Sequence, residues 1–121
     1  MGRFSAAALL NPVRANTRVN PSRLAPVEIQ IMGPGRLDVL HARTVSQTGI
    51  GIYVAHGFAG CDFDGEVELV ITLPRERSFL ARGIIKHQTD SEGEGRHFGV
   101  EFTEIAREHR MKIRDFVRTL V

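Results

Sequence analysis

Apolar residues recur at every second position through most of this chain, and at every third or fourth position only near its end. Val27, Ile29 and Ile31 alternate with Glu28 and Gln30, which predicts a strand with one face toward a core. Gly33-Pro34-Gly35 marks a turn, and residues 36–43 return from it as a second strand. Residues 42–54 then read as strand, turn and strand: Ser46 and Gly49 bound the turn, and Ile50, Ile52 and Val54 repeat the inward face. A loop is expected over residues 57–65, an alternating strand over 66–73 before Pro74, and a further strand over 79–87. A Gly- and Glu-rich hairpin loop over 89–95 leads to a last strand with Phe98, Val100 and Phe102 on one face. The expected class is mainly β: six short antiparallel strands in a closed or nearly closed barrel, because closure removes exposed edges.

The period changes at the C-terminus. Ile113, Phe116, Val117 and Leu120 fall at i, i+3, i+4 and i+7, which predicts an amphipathic helix over about 106–120 whose apolar stripe caps the barrel. The opposite side of that helix gathers Arg107, Met111, Arg114 and Arg118. A shape-adaptable methionine among arginines suits an acidic partner surface. A solvated charged face with one apolar member gives the same pattern.

At 121 residues, with 42% hydrophobic and 25% charged residues, the chain has the length and balance of one ordinary globular domain. Its net charge of +2 hides an asymmetry. Residues 1–27 carry Arg3, Arg14, Arg18 and Arg23 and no acid, so the remainder holds 12 basic residues against 14 acidic ones. The expectation is a flexible basic arm over 1–22, in which Pro12 and Pro21 disfavour helix, followed by a folded domain over 23–121. No apolar run is long enough to span a bilayer, the start Met1-Gly2-Arg3-Phe4-Ser5-Ala6 is too short in apolar residues for an export signal, and Ala6 breaks the myristoylation pattern. The single Cys61 offers neither an internal disulfide nor a zinc spacing. A cytoplasmic protein without membrane insertion, metal or cofactor is expected.

Catalysis finds little support. His41, His56, His87, His97 and His109 are dispersed, no nucleophile stands near a base, and the pairs Glu66/Glu68 and Glu92/Glu94 read as solvated charge. The chain is therefore not expected to be an enzyme. Single-strand nucleic-acid binders stack bases on exposed aromatics, whereas here the aromatics fall mainly on core faces, with Tyr53 the exception. Neither DNA nor RNA is expected as a partner.

Three stretches together resemble the bacterial PilZ domain family, from about Arg14 to the C-terminus. They are the arginines Arg14, Arg18 and Arg23 ahead of the first strand, the Thr44-Val45-Ser46-Gln47-Thr48-Gly49 turn, and the Phe98-Gly99-Val100-Glu101-Phe102 strand that enters the helix. In that family an Arg-x-x-x-Arg motif, often preceded by another Arg, leads into a β-barrel, and an (Asp/Asn)-x-Ser-x-x-Gly motif follows between two strands. The resemblance implies cyclic di-GMP as a ligand, with Arg14, Arg18, Arg23, Thr44, Ser46 and Gly49 as its site. It also implies a signalling adaptor that acts on motility or surface behaviour through a protein partner. The chemistry is consistent, since guanidinium groups grip phosphates bidentately and stack on purines, and the Ser46 hydroxyl would add a directional hydrogen bond.

This chain departs from the pattern at two places. Thr44 stands where the family has Asp or Asn. Arg14-Ala15-Asn16-Thr17-Arg18 keeps the literal spacing but lies far from the first strand; counted back from Val27, Arg23 becomes the second arginine, Val19 takes the place of the first, and Arg18 is the extra preceding one. Losing one phosphate-binding arginine costs about 1.5–3 kcal/mol, or roughly one to two decades in affinity. The alternative expectation is accordingly a PilZ-like interaction module that does not bind the nucleotide.

Overall fold

The computed structural model describes residues 14–33, 36–54, 65–90 and 96–121. Strand β1 (Glu28–Gly33) pairs with β2 (Arg36–Val45) on one side and with β4 (Glu66–Thr72) on the other. Strand β3 (Gly49–Val54) pairs with β2 and with β6 (Arg96–Ile105), and β5 (Phe79–Asp90) joins β4 to β6. All six pairings are antiparallel, and the circuit β1-β2-β3-β6-β5-β4 closes into a barrel. The alternating apolar positions cause this closure: Ile29, Ile31, Val45, Ile52, Leu69, Ile71 and Ile85 all point inward and are essentially inaccessible to water. Each such side chain contributes roughly 1.5–3 kcal/mol of transfer free energy when fully buried.

Helix α1 (Arg107–Leu120) lies across the end of the barrel where the β2–β3 and β4–β5 turns emerge. Ile113 and Val117 are fully buried, and Phe116 packs against the core. His109 stacks on Phe79 with ring centroids 4.6 Å apart, and Lys112 reaches Glu76 at 3.7 Å. The fourth member of the expected stripe behaves differently, since Leu120 is 43% exposed at the helix end. On the opposite side Arg107 and Arg118 are exposed, while Met111 and Arg114 are half-buried rather than fully solvated.

The folded core reaches back into the expected arm. Val19 is 6% exposed and bridges Val45, with both backbone hydrogen bonds formed, N to O, at 3.0 and 2.9 Å. Residues 1–13, His56, Cys61, most of the expected 57–65 loop, Pro34, Gly35 and residues 91–95 lie outside the described residues.

A candidate ligand cleft on the outer barrel face

The turn between β2 and β3 is built around the Ser46 hydroxyl. Ser46 Oγ accepts from the backbone N–H of Thr48 at 3.2 Å and of Gly49 at 3.1 Å. Its own hydrogen points to Gly49 O (3.2 Å) or Thr48 Oγ1 (3.0 Å). Ser46 is 2% exposed. The hydroxyl expected to face a ligand is therefore engaged in holding the turn, which positions Thr48 and Gly49. Gly49 is required for close approach, because a Cβ there would collide with the backbone carbonyl of Val100 on β6.

Beyond the turn, the outward face of β3 is made of Gly49, Gly51 and Tyr53, and these stand opposite Glu101, Gly99 and His97 of β6. Small residues in the middle of this ladder leave a depression in the barrel wall. A cleft of about 220 Å³ opens there, lined by Arg18, Arg43, Thr44, Gly51, His97 and Gly99 among others. A narrower one, about 70 Å³, adjoins it and is lined by Arg18, Ser46, Thr48, Gly49, Lys86 and Glu101 among others. Arg18 and Gly99 belong to both.

Two cations reach these clefts through irregularities in the strands. Ala42 pairs with Ile52 and Thr44 with Gly51, so Arg43 is the unpaired residue of a bulge in β2. Ile85 pairs with Val100 and His87 with Gly99, which makes Lys86 the unpaired residue of a bulge in β5. A bulge adds local twist and redirects the side chain it carries. Arg43 thereby lies over the Tyr53 ring, 5.0 Å from Cζ to centroid, and Tyr53 in turn meets His97 with centroids 4.9 Å apart. An arginine on an aromatic face beside a shallow depression is suited to stacking a planar base.

The three arginines ahead of β1 separate. Val19 pairs with Val45 while Glu28 pairs with His41, so the sums of paired numbers are 64 and 69, and five residues are looped out between them. Arg23 belongs to that loop and lines a third cleft with Asn20, Ser22, His41 and Arg43. Asn20 Nδ2 ties the loop to Arg43 O at 3.2 Å. Arg18, one residue before the Val19 bridge, is the arginine beside the Ser46 turn. Arg14 closes a turn onto Thr17, with its carbonyl accepting from Thr17 N–H at 3.0 Å and its N–H donating to Thr17 Oγ1 at 3.1 Å, and its side chain is exposed. Counting back from Val27 gave Val19 as a displaced motif position; in the structure Val19 is a core residue.

Of the expected residues, Arg18, Thr44, Ser46 and Gly49 line these two clefts, and Arg43, Lys86, Gly51, His97, Gly99 and Glu101 line them as well. The one signal of these clefts in the sequence was Gly49, Gly51 and Tyr53 at period two on an otherwise apolar strand. Among the described residues there is no group of His, Cys, Asp or Glu suited to a metal ion, and no helix long and apolar enough to cross a membrane.

A family model described as PilZ domain matches residues 12–119. No curated protein matches the chain at a significant level. Among solved structures, the Bacillus subtilis inhibitor of motility MotI/DgrA superposes with a TM-score of 0.74 at 22% identity, over 88% of this chain and 50% of that one. The PilZ domain of Escherichia coli YcgR with c-di-GMP gives 0.70 at 11% identity, over 88% and 90%. The K. pneumonia MrkH complex with c-di-GMP gives 0.72 at 13%, over 89% and 51%. The chain thus spans about half the length of the MotI and MrkH structures, and at these identities the likeness is one of fold.

Proposed function

The chain belongs to the PilZ domain family, and from that premise we propose that it is a signalling adaptor, not an enzyme, that binds cyclic di-GMP in the clefts on the outer face of β3 and β6. The observation that carries this reading is the position of Arg18. Its side chain is shared by a phosphate-sized cleft at the Ser46–Gly49 turn and by a wider, glycine-floored cleft bordered by Arg43 and Thr44. Arginine grips phosphate oxygens in the first setting and stacks on a base in the second. The fold neighbours YcgR and MrkH are described in complex with c-di-GMP, which supports that ligand for this chain as well.

The output is assigned to a protein partner in a pathway of motility or surface behaviour, a reading supported by the likeness to an inhibitor of motility. A second reading, an interaction module that does not bind the nucleotide, is favoured by Thr44 in the acid or amide position of the motif and by the displacement of Arg23 into the 20–26 loop. Isothermal titration with cyclic di-GMP separates the two. Saturable binding that Arg18→Ala weakens by at least about tenfold, the loss of one charge-assisted contact, supports the ligand reading. No heat from the wild type at high micromolar ligand supports the second.

A further inference from the structure

We propose that the Glu101 carboxylate reads the base of the bound nucleotide and selects guanine over adenine. The inference rests on the nucleotide reading above. Glu101 stands directly across from Gly49 on the outward face of β6 and lines the narrow cleft with Arg18, Thr48 and Lys86. It is the one carboxylate among the described residues lining the two clefts that share Arg18. The other outward acids nearby are differently placed: Glu68 on β4 and Glu104 on β6 flank Arg82 of β5 at 3.4 and 3.9 Å. Glu101 is exposed, and among the described residues no arginine lies within ion-pair distance of it.

A carboxylate at the mouth of a site for a doubly anionic ligand opposes binding by simple charge repulsion. It favours binding only when the ligand brings it hydrogen-bond donors. An ionised carboxylate is acceptor-only, with two oxygens that take a pair of parallel N–H bonds. Guanine presents such a pair, N1–H beside the N2 amine. Adenine presents an amine beside the N1 lone pair, so one oxygen would face another acceptor. The glycine at position 99, two residues from Glu101 along the same face and part of both clefts, leaves a base edge room to approach the carboxylate over the barrel wall.

The test is titration of wild-type protein and Glu101→Gln with cyclic di-GMP, cyclic di-IMP, whose base lacks the N2 amine, and cyclic di-AMP. Glutamine keeps the size but replaces one acceptor oxygen with a donor. The expected result is wild-type preference for cyclic di-GMP over both analogues, loss of about tenfold in cyclic di-GMP affinity in the variant, and collapse of the preference over cyclic di-IMP, at an unchanged melting temperature. Equal or tighter binding of cyclic di-GMP by the variant, with the preference intact, would overturn the role of Glu101 while leaving the nucleotide reading standing. Wild-type protein that binds none of the three would overturn both.

Discussion

Arg110, in the first turn of α1, donates from Nη1 to the backbone carbonyl of Gln47 at 3.2 Å, so the C-terminal helix holds the turn that carries Thr48 and Gly49. Gln47 is 9% exposed, and its carbonyl has a charged donor where solvent has little access. The same turn is fastened to β6 from the other side, with Phe102 N–H donating to Thr48 O at 2.8 Å. Displacement of the turn by a ligand would therefore be felt by the helix through the Arg110 side chain.

Arg110→Ala is expected to lower the melting temperature by about 4–8 °C, the shift for roughly 1 kcal/mol in a small domain. It should also speed amide exchange at Thr48 and Gly49, whose N–H groups depend on the turn. Thermal scans with hydrogen-exchange mass spectrometry check both. Unchanged exchange at those amides would mean that the helix does not hold the turn.

The looped-out residues predict an unequal response among the arginines. Arg18→Ala should weaken cyclic di-GMP binding by at least about tenfold, while Arg23→Ala, in the separate cleft, should weaken it less. Placing an arginine at position 19 is expected to destabilise the fold by on the order of 3 kcal/mol, since it buries an unpaired charge against Val45. A stably folded Val19→Arg protein with improved nucleotide binding would show that the five-residue shift is misplaced.

Ser46→Ala removes the acceptor for two backbone N–H groups in a part-buried turn. At about 0.5–1.5 kcal/mol per bond, the loss is roughly 1–3 kcal/mol, and ligand affinity should fall with it because Thr48 and Gly49 lose their position. Chemical denaturation measures the first quantity and titration the second. A variant with normal stability and reduced affinity would instead point to a direct contact between the hydroxyl and the ligand.

The two glycines of β3 are expected to part company when given a methyl group. In Gly49→Ala the new Cβ meets the Val100 carbonyl, a backbone group that cannot step aside, whereas in Gly51→Ala it meets only the Thr44 hydroxyl, which can turn away. Gly49→Ala should cost about 1–3 kcal/mol, while Gly51→Ala should fold nearly as the wild type and fill the floor of the wider cleft. Reduced cyclic di-GMP affinity in folded Gly51→Ala protein checks that the floor is in use.

The fold was largely legible in the sequence because alternation of two and a terminal period near 3.6 are written directly in Val27 to Ile31, Ile50 to Val54 and Ile113 to Val117. Strand β2 shows the limit: Leu37 and Val39 look like core residues by alternation, yet both are exposed, since Ala42 and Val45 set which face turns inward. The lining of the candidate clefts was legible only in part. A bulge leaves no mark in the local pattern, so Arg43 and Lys86 read as ordinary outward residues. Pairing across strands is equally silent, and nothing near Glu101 in sequence reveals that it faces Gly49. The register of the arginine arm depended on a single bridge, Val19 to Val45, that local sequence could not supply.

The helix face away from the barrel is the surface on which a partner is expected, and the structure narrows how it would act. Arg107 and Arg118 are exposed there, but Met111 is half-buried, and Arg114 Nη2 lies 3.1 Å from Asp115 Oδ1. An acidic partner must therefore compete with Asp115 for Arg114, while Met111 offers a part-covered apolar contact that adapts its shape. A solvent-screened surface pair of this kind is worth about 0–1 kcal/mol, so the competition is weak and the arginine remains recruitable. Met111→Glu combined with Arg114→Glu should abolish the signalling output in cells, because it places three acids side by side against an acidic partner. It should lower the melting temperature by no more than about 4–8 °C, since neither residue belongs to the buried set around Ile113 and Val117. Normal output from a stably expressed double variant would remove α1 as the docking surface and leave the barrel wall, where Val39 and Leu80 are exposed, as the place to look next.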